Sequence, residues 1–298
     1  MVANSKAKLY DCLIVGGGPA GLLAATYLGR FRRKVLVIDS GQSRAKLIPL
    51  TRNCPGFPDG ISGPALLGRL RRQASRYNVR FLEGYVTQLF CSRGTFSAKP
   101  TNVRARATLI ATGVVDVLPD IPELDMLITR GRIRICPVCD AFETIDRSLA
   151  VIGPSANAVA KAEFLQPYTR KISILATGTL DNEGRAAAAG LDIAVANPAS
   201  IRATDDGVSV RLIGGERRVF DAIYPAMGAT INSRVAADLG AECDELGNLV
   251  TDARQRTAVP GMYAAGDVVN ELNQLSVAFG HAAIAASDIH RYLDRPVL

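Results

Sequence analysis

Asp11-Cys12-Leu13-Ile14-Val15-Gly16-Gly17-Gly18-Pro19-Ala20-Gly21 is the stretch that decides how this chain is read. An apolar run of strand length enters a glycine-rich turn and leaves through Leu22, Leu23, Ala25, Thr26 and Leu28, the pattern of strand, turn and buried helix. In Gly16-x-Gly18-x-x-Gly21 the first glycine makes the turn. The second lets backbone approach a pyrophosphate, and the third packs helix on strand. The helix start at Pro19 and Ala20 adds partial positive charge from its free amides. Lys34–Asp39 reads as the next strand, and Asp39 falls 23 residues after Gly16, near the offset at which a carboxylate takes a ribose 2′-hydroxyl.

The same arrangement returns 137 positions later: Leu149–Ile152, then Gly153-Pro154-Ser155-Ala156-Asn157-Ala158, an Ala-rich helix to Leu165, and a strand over Lys171–Leu175. Between the two, Ser62-Gly63-Pro64 opens a helix with Leu66, Leu67, Leu70, Ala74 and Tyr77 on one side and Arg69, Arg72 and Arg76 on the other. Short strands over residues 79–110 end at Ala111-Thr112-Gly113, and Pro119 and Pro122 mark a linker. Tyr263-Ala264-Ala265-Gly266-Asp267 ends a last strand, and residues 274–293 have helical spacing. The expected fold is α/β with two Rossmann-like, three-layer nucleotide-binding domains, the second inserted in the first. The boundaries expected are 1–116 with 246–298 for the first domain and 117–245 for the second.

At 298 residues with 48% hydrophobic content the chain is long enough for two domains with ordinary cores, which excludes a small disulfide scaffold and a disordered chain. No apolar run approaches the roughly 18 residues of a membrane span. Lys6 and Lys8 precede an apolar segment as in a secretory leader, but Asp11 and the glycines interrupt it and no small-residue cleavage site follows, so a cytoplasmic location is expected. Of the net charge of +7, the basic share is concentrated: Arg30 to Arg134 holds 19 Lys/Arg against 7 Asp/Glu. With no nucleic-acid recognition motif and few aromatics, this surface fits an acidic redox partner or an anionic membrane face rather than nucleic acid.

Six cysteines include one close pair, Cys136-Pro137-Val138-Cys139, followed by Asp140. Alternation of such a pair between dithiol and disulfide moves two electrons, the number a flavin accepts, and an adjacent carboxylate can carry the accompanying protons. A zinc site needs four ligands; the chain offers no second CxxC and only His281 and His290, both in the last helix, so no metal is expected. Cys12, Cys54, Cys91 and Cys243 read as packing residues. His281 is weighed as a base against the commoner helix-face histidine, and His290 reads as surface.

The ordered set GGGPAG, Asn53-Cys54-Pro55-Gly56-Phe57-Pro58, Ala111-Thr112-Gly113, CPVCD and AAGD resembles the low-molecular-weight thioredoxin reductases over nearly the whole chain. The resemblance implies FAD held through Gly16, Gly18, Pro19, Ala20, Gly21, Asp39, Asn53, Thr112, Gly113, Gly266, Asp267, Gln274 and Leu275. It implies that Cys139 faces the flavin and Cys136 exchanges with the substrate disulfide, with Asp140 as acid or base. It further implies a homodimer.

The second turn departs from that family. Serine stands where the middle glycine would admit a pyrophosphate, and the offset from Gly16 to Asp39 carried over to Gly153 lands on Ala176. Residues 176–182 read Ala-Thr-Gly-Thr-Leu-Asp-Asn, where the family carries an arginine-rich pattern for the 2′-phosphate of NADPH, so NADPH use is not expected, with Asp181 as a displaced acidic substitute. Gly153, Ser155, Ala156 and Asn157 remain candidates for a second nucleotide. The chain is most similar to the diflavin-linked disulfide oxidoreductases, in which a second FAD occupies this domain and electrons run from a dithiol, on a protein or a small molecule, to flavin. Two alternatives stay open: a thioredoxin reductase driven by NADPH or ferredoxin, and a docking module without catalysis.

Overall fold

The computed structural model describes residues 8–177, 190–269 and 272–294. Its contacts divide the chain into two units, Met1–Lys46 with Gly63–Val115 and Ile231–Leu298, and Leu47–Ser62 with Asp116–Thr230.

The first unit opens with β1 (Leu9–Val15), α1 (Pro19–Arg30), β2 (Val35–Asp39), α2 (Gly63–Ala74), β3 (Val79–Glu83), β4 (Gln88–Ser92), β5 (Thr95–Lys99) and β6 (Val103–Ile110). These make a seven-stranded sheet in the order β3-β2-β1-β6-β5-β4, with the strand Met262–Ala264 also on β6. The pairs β3/β2, β2/β1 and β1/β6 are parallel, while β4 and β5 form a hairpin. Its two-residue loop, Arg93-Gly94, has positive φ at both positions, as a tight twisted hairpin turn requires. Along β6 the register changes partner: Val103–Ala105 pair with β5 and Thr108–Ile110 with the late strand.

A parallel strand covered on both faces is apolar throughout, and β1 obeys this. Cys12 and Ile14 pack beneath α1 and the C-terminal helix Leu275–Leu293, whereas Leu13 and Val15 pack on the opposite face with Phe96 and Leu249. Ala20, Ala24 and Ala25 of α1 share the first of these cores with Ala278, Ala282, Ala285 and Ala286, small side chains that let two helices approach closely. Because β2 lies on one side of β1 and β6 on the other, the C-terminal end of β1 is a topological switch point, where open α/β sheets bind ligands.

The second unit repeats the plan. It contains α3 (Leu124–Thr129), α4 (Pro137–Asp140), β7 (Leu149–Gly153), α5 (Ser155–Leu165), β8 (Ile172–Ala176), β9 (Asp192–Val195), β10 (Arg202–Ala203), β11 (Val208–Arg211), β12 (Arg217–Phe220) and β13 (Ala222–Pro225). A parallel sheet runs β9-β8-β7-β13, and β10-β11-β12 form a separate antiparallel sheet. The fold is α/β with two Rossmann-like units, the second inserted in the first. Among the described residues no helix is long and apolar enough to cross a membrane.

Two boundaries differ from the sequence expectation. The chain returns to the first unit at Ile231, not at 246, because Ile231, Val235, Ala236, Leu239 and Ala241 pack in the core beside β1. Residues 47–62 group with the second unit, where Leu47 joins the core of Ile121, Leu127 and Ile128. The 62–77 helix ends at Ala74, leaving Tyr77 to receive a hydrogen bond from Arg30. His290 is half-buried rather than on the surface: its ring stacks on Phe31 at 4.6 Å and its Nδ1 accepts from Arg33 Nε at 2.9 Å.

Candidate active site

The first glycine turn is fastened to Asp39. Asp39 Oδ1 accepts the backbone N–H groups of Gly17 and Gly41, each at 3.1 Å, and neither bond uses Oδ2. A Cβ on Gly17 would lie 2.4 Å from the Asp39 carboxylate, and one on Gly21 would lie 2.0 Å from the Gly16 carbonyl oxygen. Gly16, Gly17 and Gly21 therefore have no room for a side chain, whereas a Cβ on Gly18 would meet only the Ser43 hydroxyl, at 3.3 Å. Sequence reading singled out Gly16, Gly18 and Gly21 but missed Gly17, whose contact is visible only once β2 returns beside β1. Gly18 caps α1 and Pro19 opens it, with Ala20 buried.

Thr112 Oγ1 donates to the Asn232 carbonyl at 2.6 Å, and Asn232 Nδ2 donates back to the Thr112 carbonyl at 3.1 Å. The Asn232 amide also reaches the Gly113 carbonyl, so the hydroxyl hydrogen of Thr112 braces the chain. Asn232 carried no sequence signal. At the end of the late strand Gly266 has φ +83°, and Asp267 Oδ2 lies 3.7 Å from an Arg44 guanidinium nitrogen. Arg44, on the loop after β2, was not anticipated.

Gln274 caps the C-terminal helix, whose first residue is Leu275. Nearby in sequence, Asn273 Oδ1 and His281 Nδ1 are buried with no hydrogen-bond partner. Burial pushes the His281 pKa down, which favours the neutral imidazole. Asn53 falls on the segment that groups with the second unit, where its Oδ1 accepts from Thr51 Oγ1 at 2.7 Å.

In the second unit Cys136 and Cys139 form a disulfide with Cα atoms 5.3 Å apart. Pro137 starts the single helical turn α4, and the Cys139 amide donates to the Cys136 carbonyl at 3.0 Å, which brings the sulfurs together. Asp140 accepts from the Tyr224 hydroxyl at 2.8 Å through Oδ1 and pairs with Arg134 at 3.0 Å through Oδ2. Burial raises the Asp140 pKa, and Arg134 and Tyr224 oppose that rise only in part. Neither Arg134 nor Tyr224 stood out in the sequence. Val138 and Phe142 flank the pair as exposed apolar side chains, Phe142 at 73%. Burial also raises the pKa of Cys12 and Cys54, which keeps both as thiols.

The second glycine turn closes β7 at Gly153, where a Cβ would lie 2.7 Å from the Ala226 carbonyl oxygen. Ser155 and Ala156 begin α5, and Asn157 is exposed. Ala176 ends β8 and is 2% exposed. Asp181 and the rest of 178–182 lie outside the described residues.

A disulfide followed by a partly buried carboxylate in one unit, and a glycine turn held by a carboxylate in the other, are the features of a dinucleotide-dependent disulfide oxidoreductase. The chain belongs to the pyridine nucleotide-disulphide oxidoreductase family, which it matches over residues 10–282. It is 29% identical to the thioredoxin reductase of Listeria innocua over 97% of this chain and 96% of that one. It is 30% identical to NADPH-dependent thioredoxin reductase 3 of Arabidopsis thaliana over 95% of this chain and 58% of that longer one. The crystal structure of the Streptococcus pyogenes thioredoxin reductase superposes with a TM-score of 0.87 at 27% identity, covering 97% of this chain and 99% of that one. The protein is a flavin-dependent disulfide oxidoreductase, and FAD is the cofactor the family implies. The first unit fits that group: Gly16, Gly17 and Gly21 of its turn have no space for a side chain, Asp39 and Asp267 present carboxylates, and Asn273 and His281 carry buried polar atoms without partners.

Proposed function

We propose that this protein oxidises a partner dithiol through Cys136 and Cys139 and passes the electron pair to FAD, with NADPH not the electron source and a second FAD in the second unit. The observation that carries this reading is the tip of β8. Ala176, 2% exposed, stands where a carboxylate or guanidinium would bind a nicotinamide cofactor's ribose or its phosphate, and Ser155 replaces the second glycine. The names of the relatives favour a second reading, reduction of a thioredoxin-like protein with NADPH or ferredoxin, which uses the same cysteines.

In this account the FAD would be held by Gly16, Gly18, Pro19, Ala20 and Gly21 at its pyrophosphate. Asp39 would hold the ribose, Gly266 and Asp267 the ribitol, and Gln274 and Leu275 the ring. Thr112, Gly113 and Asn53 would complete the cradle. Gly153, Ser155, Ala156 and Asn157 would receive the second dinucleotide.

FAD, when bound, supplies a two-electron acceptor. A partner thiolate attacks Cys136 Sγ, forming a mixed disulfide as the Cys136–Cys139 bond breaks and Cys139 Sγ leaves with the electron pair. The partner's second thiolate attacks the mixed disulfide and releases Cys136. Asp140 carries a proton for the sulfurs, and exposed Val138 and Phe142 offer an apolar contact to the partner. The basic surface of α2 and the turn after it, with Arg69, Arg72 and Arg76 exposed, suits an acidic partner or an anionic membrane surface. A cytoplasmic homodimer is part of this reading.

Anaerobic dithiothreitol should bleach the bound flavin of the wild type and fail to do so in Cys139→Ser. Equal bleaching in both proteins would mean that the electrons bypass the dithiol.

A further inference from the structure

We propose that Arg134 and Tyr224 are positioning residues for proton transfer at the dithiol: they clamp the two oxygens of Asp140 and so fix where its proton is held. The inference rests on the reading of Cys136 and Cys139 as the exchanging pair, and it concerns residues that no motif marks.

The clamp is built by β13. Ile223 of that strand accepts the Arg134 amide at 2.9 Å and donates to the Arg132 carbonyl at 2.8 Å, so residues 132–134 run along its edge just before the cysteines. The next residue on the strand, Tyr224, is fully buried, and its hydroxyl donates to Asp140 Oδ1 at 2.8 Å. Arg134 takes Oδ2 at 3.0 Å. With one donor on each oxygen, rotation of the carboxylate costs a hydrogen bond in a poorly solvated place. Lys161 on α5 ties the same corner by donating to the carbonyls of Pro225, next after Tyr224, and Ile135, just before Cys136.

The charges around Asp140 are of both signs. Burial raises its pKa, Arg134 and the Tyr224 hydroxyl lower it, and Glu143 on the following turn raises it again. Glu143 is itself paired with Arg52 at 3.2 Å, and the Lys161 ammonium is bound to carbonyls. Arg134 and Tyr224 are thus the groups that hold the proton affinity of Asp140 down. In the exchange step the attacking thiol loses its proton as the new S–S bond forms at Cys136. Cys139 leaves with the electrons of the old bond and gains a proton, and Asp140, next in the chain, is the relay between them.

The test is an infrared titration of the Asp140 carboxyl in the flavin-loaded protein, isolated as the difference from Asp140→Asn. The pH dependence of disulfide exchange with dithiothreitol is measured alongside. Tyr224→Phe keeps the buried ring and should move the carboxyl midpoint up by about half to one pH unit, and Arg134→Met by about one unit or more. Arg134→Lys, which keeps the charge, should bring it back toward the wild type. The exchange profile should follow these shifts and lose them in the Asp140→Asn background. Unmoved midpoints would overturn the clamp, and an exchange profile that ignores the midpoints, or shifts equally without Asp140, would overturn its role in proton transfer. If the wild-type disulfide does not exchange with dithiothreitol at all, the functional reading fails, while the infrared midpoints still judge the clamp.

Discussion

The backbone amide of Gly17 donates to Asp39 Oδ1 at 3.1 Å, joining two residues 22 positions apart at the ends of β1 and β2. Asp39 therefore shapes the glycine turn as well as being the proposed ribose ligand. Asp39→Ala removes the acceptor of two amides, which should cost about 1–3 kcal/mol of stability. It should also weaken FAD retention at least about tenfold, since the cradle and one ligand contact fail together. Gly17→Ala drives a methyl into the carboxylate and should lose FAD in the same way. Flavin absorbance per chain after gel filtration, with a thermal melt, measures both; full retention in Asp39→Ala would refute the assignment.

The two cysteines should differ in what they trap. Cys139→Ser leaves Cys136 a lone thiol, so its thiolate should attack the disulfide of an added oxidised partner, the partner's other sulfur leaving as thiolate. The mixed disulfide should accumulate for want of an internal thiol to resolve it and appear by mass spectrometry. Cys136→Ser should trap none at Cys139. Reversed trapping would exchange the two roles, leaving the rest of the site intact.

Asp288 gives the fold its acid limit. It is 3% exposed, receives Arg256 at 2.7 Å and the Tyr263 hydroxyl at 2.9 Å, and lies 3.6 Å from Arg254. Burial opposes its ionisation, but the hydrogen bonds from Arg256 and Tyr263 win and hold its pKa below the usual value. A depressed folded pKa contributes stability that is present above the unfolded value, about 3.9, and is lost as pH falls through the folded one. Asp288→Ala should cost about 1–3 kcal/mol at neutral pH by leaving the buried Tyr263 hydroxyl without its acceptor and removing the carboxylate that Arg256 pairs with, and the deficit should shrink in strong acid. Urea midpoints of both proteins at neutral and acid pH decide it; a deficit independent of pH would place the loss in packing instead.

The basic face of α2 makes a salt-dependent prediction. Pelleting with vesicles rich in anionic lipid, or binding to an acidic redox protein, should weaken as salt rises and weaken further in an Arg69→Glu, Arg72→Glu, Arg76→Glu variant. The reaction with uncharged dithiothreitol should stay unchanged. Binding insensitive to salt would remove electrostatics from partner choice.

Much of the fold was legible because it is local. The Gly16–Gly21 turn, the strand to Asp39, the second copy at Gly153 and the Cys136–Cys139 pair each occupy a short window whose spacing marks a strand, a turn and a helix or a disulfide. What escaped depends on residues far apart in the chain. Arg134 and Tyr224 meet Asp140 only because residues 132–134 run along β13, and Asn232 braces Thr112 across 120 positions. The return at Ile231 was missed for a related reason: residues 231–241 are too short and mixed to show a period, yet their apolar side chains pack in the core on the Leu13 and Val15 face of the first sheet. His290 looked like a surface residue because a helix end is usually wet, and Arg33 and Phe31 cover it.

The central claim, that a dithiol rather than a nicotinamide cofactor supplies the electrons, is tested most directly by counting FAD per chain and then adding NADPH without oxygen. The account predicts two FAD per chain and a flavin spectrum that NADPH leaves unbleached. One FAD per chain, rapidly bleached by NADPH, would contradict it and make residues 153–182 an NADPH site built without the usual glycine and arginines.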